Sequence, residues 1–507
     1  MSGARVVCQK LGCASNFSAM KNQLWPFLFG ALFCVLPMAS AQNDPVSAAP
    51  AAPTPPFTPA PLFSARDISV KTLPSGVQSI VKTAPGFDLV SVQIWVKAGS
   101  RTERSDESGA AFVIETAAKT ASKTFPASST SDEGGFVGAI KTVGGDAGAF
   151  TSRDATFYSA TVAAPHFTRA LGALADAVLR PDLSDNALED AKASASDEII
   201  GRGFDAVALA SDLAYQNAFS KHPYRRAAQG STESLDALSP AKIRGFYNRQ
   251  YVGKNIGVVV CGRVSPADAH AAVARAFATA SAKAAVEVPV VADPFGGPKE
   301  VTRRTLVLRD ALTLAWRSPG IDKPDDVVAL DAILALWREG LDANLRKVLL
   351  RDGEDGPNKP LVEAFDVDFL TQRDPGLFMV SLSGVSDRDG ALEAVQNEVK
   401  RLRESPISDA ELLRARTQLR NQYLEQSENA AGQAGALGFY YAISTHQFAV
   451  EYLSRCARVS KADIQRVART YFGDDKRVQI EVVPLPRPNA PREDDLTPRN
   501  PTLTISF

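Results

Sequence analysis

The chain has 507 residues, of which 45% are hydrophobic, 22% charged and 8% aromatic. This composition excludes long-range disorder and fibrous classes, and the length allows two to four domains, each able to bury its own core. Lys plus Arg number 56 against 57 Asp plus Glu, so there is no basic excess to neutralise phosphates and no nucleic-acid partner is expected.

Residues 24–36 (LWPFLFGALFCVL) form an apolar run, too short for the ~20 residues a membrane-spanning helix needs. Lys21 precedes it and Ala39-Ser40-Ala41 follows it. Charge, apolar run and small-residue site together predict a secretory signal peptide at residues 1–41, cut after Ala41, with Met20 a candidate true start. Cleavage would remove Arg5, Lys10 and Lys21 and no acid, taking the net charge from −1 to −4. It would also leave Cys261 and Cys456 as the remaining cysteines, far apart and in no C-x-x-C, so no disulfide framework is expected. Cys261, in the apolar run GVVVCG, reads as a small core residue. Residues 42–62 hold seven prolines and read as an extended tether.

Residues 90–96 read as a strand, and residues 151–162 alternate as a strand does, Phe157, Ser159 and Thr161 against Tyr158, Ala160 and Val162. Residues 164–179 and 188–200 read as amphipathic helices. An internal repeat then appears. Ser184-Asp185 before a long helical segment matches Ser408-Asp409 at an offset of 224, and Ser239 before Ile243 matches Ser460 before Ile464 at an offset of 221. Residues 306–316 weakly repeat the strand at 90–96. The period is far too long for a solenoid. It predicts two related α+β domains at residues 63–283 and 299–484, a linker at 284–298, and a proline- and charge-rich tail at 485–507.

Residues 95–116, WVKAGSRTERSDESGAAFVIET, resemble the M16 metallopeptidase family of pitrilysin, insulinase and mitochondrial-processing-peptidase-like proteins, in which a Gly-Ser-x-x-Glu turn and Glu-Ser-Gly lead into an HxxEH helix. Residues 143–158 (VGGDAGAFTSRDATFY), then His222-Pro223-Tyr224, and then Tyr251, Asn255 and residues 258–262 are similar to further family segments in family order. The resemblance spans most of residues 63–484. It implies two homologous domains, each a mostly antiparallel sheet with helices packed on one face.

In the family, HxxEH places two imidazoles on one helical face for Zn²⁺, and its Glu activates the bound water. The corresponding positions here read Phe112, Glu115 and Thr116, and the downstream glutamate ligand aligns with Ala191 if Glu198 is the last Glu of that helix. All three ligand positions are therefore changed, and no metal or other cofactor is expected in this chain. Glu115 keeps the general-base position with no zinc-bound water to act on. Only four histidines occur, and none makes an obvious pair; His166, His270 and His446 read as surface or helix-end residues.

The resemblance further implies that Gly148, Ala149, Phe150 and Thr151 form a sheet edge able to hold an extended peptide by main-chain pairing. It implies a pseudo-protease in the bacterial periplasm. Such a chain would form a heterodimer with an HxxEH-bearing, zinc-carrying M16 subunit and help bind a peptide or unfolded protein substrate. The alternative is a non-catalytic scaffold or peptide-binding protein with no protease partner. Residues 335–350 contain one glycine, Gly340, and read as an ordinary amphipathic helix carrying Arg346, with Arg351 just beyond.

Overall fold

The computed structural model describes residues 65–128, 134–290, 292–338, 343–350 and 359–485. The expected signal peptide, proline tether and tail, together with Gly340 and Arg351, lie outside the described residues, apart from Leu485.

The first sheet holds β1 (Ile68–Thr72), β2 (Gln78–Thr83), β3 (Leu89–Val96), β4 (Asp146–Thr151), β5 (Thr156–Ala163) and β6 (Ile256–Gly262), in the order β1-β2-β6-β3-β5-β4. The second holds β7 (Lys299–Thr305), β8 (Ala311–Arg317), β9 (Val362–Phe369), β10 (Leu377–Val385) and β11 (Arg477–Pro484), in the order β7-β11-β8-β10-β9. Leaving out β1, the two orders are the same. Each sheet has one parallel pair, β2 with β6 and β7 with β11, and is otherwise antiparallel.

The helices of the first repeat are α1 (Ala110–Thr120), α2 (Gly135–Lys141), α3 (Phe167–Leu179), α4 (Asp185–Arg202), α5 (Ala206–Ala218), α6 (Thr232–Asp236), α7 (Pro240–Gln250) and α8 (Pro266–Ala276). Those of the second are α9 (Pro324–Arg338), α10 (Asn344–Leu349), α11 (Arg388–Glu404), α12 (Asp409–Gln426), α13 (Ala430–Ile443), α14 (Gln447–Arg458) and α15 (Lys461–Tyr471). The repeated serines are the caps: α4 and α12 each run 18 residues from Ser184 and Ser408, whose hydroxyls accept the N–H of Ala187 and Glu411. Likewise α7 and α15 each run 11 residues from Ser239 and Ser460. The architecture is thus the two-domain α+β fold expected.

Each sheet buries one face under its own repeat's helices. In the first, Val90, Val92, Ile94, Tyr158 and Val162 pack with Phe112, Leu171 and Leu174. The opposite face is covered by a helix from the other repeat. Helix α13 lies across β3 and β6, and α5 lies across β8 and β11. In the second exchange Ala206, Ala210 and Ala214 of α5 meet Met379, Ile480 and Val482. Small residues make this possible, because α13 (AAGQAGALGFYYAI) brings its backbone close to the sheet. Trp95 of β3, stacked on Phe157 with ring centroids 4.5 Å apart, fills the resulting gap. The reciprocal exchange joins both repeats in shared cores, which the sequence reading did not anticipate.

Four local expectations change. Residues 151–162 are not one strand, because Ser152 turns the chain: its N–H donates to Ala155 O (2.8 Å) and its hydroxyl accepts the Ala155 N–H (3.0 Å). The strand expected from residue 306 begins at Ala311, and Leu306 and Leu308 are exposed in the β7–β8 connection. His270 is not a surface histidine; it lies on the buried face of α8, with ring nitrogens 2.8 Å from Ser79 Oγ and 2.9 Å from Ser69 Oγ. Residues 335–350 do not form one helix, since Ala343, with ψ 130°, is not helical and α10 begins after it at Asn344. Cys261 is a buried core thiol, as expected, and burial pushes its pKa up to about 12. Among the described residues no helix is long and apolar enough to cross a membrane.

Candidate functional site

The motif preceding α1 is a mounting for that helix. Glu103 is buried and accepts the N–H of Gly109 (3.1 Å) and of Ala111 (3.0 Å), two of the free donors at the start of α1. Burial raises its carboxyl to about pKa 7 against the opposing pull of those donors and of Arg226. Gly109 takes φ +93°, where a side chain would also strike Leu235. Glu107 pairs with Arg249 of α7 at 2.5 Å.

On α1, Phe112 is buried in the helix-side core and offers no lone pair. Thr116 donates its hydroxyl to Phe112 O at 3.0 Å. Ala191 faces the same core from α4, which packs on α1. A phenyl ring, a neutral hydroxyl and a methyl group do not fit a Zn²⁺ ion. Among the described residues no cluster of three or more His, Cys, Asp or Glu side chains is placed to hold a metal.

Glu115 is buried and pairs one turn on with Lys119 at 2.9 Å, while its Oε2 has no hydrogen-bond partner among the described residues. Burial opposes the charge of Lys119, but Glu115 and then Glu198 of α4 outweigh it and raise its pKa. Glu198 is itself raised by burial and held down by Lys119. One ammonium thus stands between two carboxylates from α1 and α4.

Residues Gly148, Ala149, Phe150 and Thr151 lie on β4, the edge of the first sheet beside α1. They pair with Ser159, Tyr158, Phe157 and Thr156 of β5, and the other side of β4 is unpaired among the described residues. Ala149 and Thr151 are buried, whereas Gly148 and Phe150 are half-buried. Phe150 lies 6.1 Å from Phe157, ring to ring, at a small recess shared with Trp95 and Phe439.

His222-Pro223-Tyr224 has a role the sequence reading missed. Tyr224 donates to Asp154 Oδ1 (2.6 Å) and accepts the Asp374 N–H (3.1 Å), and Asp154 Oδ2 accepts the Arg373 N–H (3.1 Å). Arg101 pairs with Asp374, and His222 Nε2 lies 3.3 Å from the same carboxylate. Burial would raise the Asp374 carboxyl, but His222 and Arg101 outweigh it and hold it at about pKa 2. The motif therefore latches the first repeat onto the β9–β10 turn of the second. Nothing around Asp374 in a single sequence marks it as the partner.

The sequence profile described as "Insulinase (Peptidase family M16)" matches residues 80–230, and "Peptidase M16 inactive domain" matches residues 237–419. An uncharacterised zinc protease of Mycobacterium tuberculosis is 30% identical over 256 residues, 49% of this chain and 56% of the relative, so the match spans about half that relative's length. The zinc protease PqqE of Helicobacter pylori is 23% identical over 425 residues, covering 82% of this chain and 92% of the relative. A solved structure of a peptidase M16 inactive domain from Pseudomonas fluorescens superposes with a TM-score of 0.71 at 18% identity, covering 82% of this chain and 98% of that one. The fold and site are those of a two-repeat metallopeptidase scaffold without metal ligands at the expected positions. The chain belongs to the M16 family and is of its inactive type.

Proposed function

We propose that this chain is the zinc-free half of an exported two-chain peptidase. It pairs with a second M16 chain that carries HxxEH and zinc, forms part of the wall of the substrate chamber, and holds an extended peptide along β4. The observation that carries this reading is a combination: Phe112, Thr116 and Ala191 stand at the ligand positions, while the α1 mounting and a β4 edge unpaired among the described residues persist beside them. Main-chain pairing needs no particular side chain, so Gly148, Ala149, Phe150 and Thr151 suffice for strand addition. Glu115, paired with Lys119, serves as a structural carboxylate.

The test is co-expression with an HxxEH-bearing M16 chain from the same organism. Co-purification, with peptide cleavage only in the mixture, is the expected result. A monodisperse chain that neither binds that partner nor changes its activity would overturn the pairing and leave the scaffold alternative.

A further inference from the structure

A cavity of about 460 Å³ lies between the two repeats, and Lys97, Lys254, Asn255, Glu287 and Arg373 contribute to its lining. That volume is within the ~300–1,000 Å³ range of small-molecule sites. Among the described residues, three cations and one carboxylate line it. Glu287 lies 3.5 Å from Arg373 with 70% of its side chain exposed, so it neutralises little of the charge.

The cations are mounted in place. The Lys97 N–H donates to Asn255 O (3.0 Å), and Asn255 Nδ2 donates back to Lys97 O (3.2 Å). The Lys97 ammonium rests 4.2 Å from the centre of the Tyr441 ring, which α13 of the second repeat supplies. The Lys254 stem lies against Gly76, where a Cβ would collide with it. The main chain that carries Arg373 is fixed by the bond from its N–H to Asp154. Burial, with Arg373 adding to it, draws the Lys97 pKa down to about 8. An incoming anion would relieve that cost.

We propose that this cavity binds a polyanion, a ligand with two or more carboxylate or phosphate groups, held chiefly by Lys97 and Arg373. Its sources are a free small anion or the acidic end of a peptide. The proposal stands apart from the reading of β4, because none of its cations lies on that strand.

The test is calorimetric titration of the whole chain at low salt with citrate, with pyrophosphate, and with the peptide Ala-Ala-Asp-Asp. Binding of at least one probe is expected, weakened about ten-fold or more by Lys97→Met and by Arg373→Gln, and unchanged by Lys242→Gln on the surface of α7. With citrate, which is fully ionised near pH 8, binding should take up protons, and Lys97→Met should abolish that uptake. If Lys97→Met fails to fold, Arg373→Gln, on a half-exposed turn, carries the test. Binding of citrate or pyrophosphate without the peptide assigns a free anion, and peptide binding lost on amidation of its C-terminus assigns a peptide end. No binding by any probe at about 5 mM, where even a ~1 mM site would be mostly filled, or unchanged affinity in the variants, overturns the proposal.

Discussion

Gly438 of α13 abuts the indole of Trp95, and a Cβ built on Gly438 would collide with the Trp95 Nε1 region. The contact is reciprocated nearby, where a Cβ on Gly257 of β6 would collide with the Tyr441 ring. Gly438→Ala should therefore destabilise the fold by about 1–3 kcal/mol, the usual cost of overpacking a closed core. Gly172→Ala is the control: nothing lies within 4 Å of a Cβ there, on an exposed position of α3, so the helix should gain about 0.5–1 kcal/mol. Urea unfolding of the two variants checks both signs.

Asp374→Asn should weaken the latch between the repeats. Arg101 keeps only 6% of its side chain exposed and would be left without its carboxylate, at a cost of about 3 kcal/mol. That lies at the low end for a buried pair, since Asp374 is 20% exposed. The folded pKa of about 2 lies below the ordinary carboxyl value, so the stabilisation is present above ~pH 4 and lost as pH falls through 2. The gap in melting temperature between wild type and variant should be widest near pH 7 and narrow toward pH 2.

Burial raises Glu103, Asp331 and Asp368 each to about pKa 7. Their folded pKa values exceed the unfolded ones, so the folded state holds extra protons between ~pH 4 and 7 and stability falls as pH rises across that window. Asp331→Asn keeps an acceptor for the Tyr452 hydroxyl, 2.9 Å away, but removes one titration. The slope of unfolding free energy against pH should shrink by up to ~1.4 kcal/mol per pH unit between pH 5 and 7. Denaturant titrations at three pH values measure it.

Lys119→Met should cost more at pH 8 than at pH 5, because it removes the cation that holds the buried Glu198 carboxyl down, and the penalty falls on the ionised form of Glu198. A loss of about 1–2 kcal/mol at pH 8 is expected, discounted because Lys119 is 27% exposed. Thermal melts at both pH values check it; equal losses would assign Lys119 a packing role alone.

The repeat was legible because serine caps are local: Ser184 and Ser408, and Ser239 and Ser460, each mark a helix start from within four residues. The ligand positions on α1 were legible through a short linear motif. The exchange of α5 and α13 was not, because an Ala- and Gly-rich helix has no periodicity that says which sheet it will cover. His270 was misread because its partners, Ser69 and Ser79, lie about 200 residues away in sequence. The latch at Asp374 and the cavity at Lys97 join residues from both repeats, and a single sequence carries no signal for such pairings.

The central claim is that residues Phe112, Thr116 and Ala191 leave α1 and α4 unable to hold zinc. Elemental analysis of the purified chain, after incubation with one equivalent of Zn²⁺ and desalting, tests it most directly. The account predicts only trace zinc and no peptidase activity from the chain alone. Near-stoichiometric, tightly held zinc with cleavage of peptide by the isolated chain would contradict it.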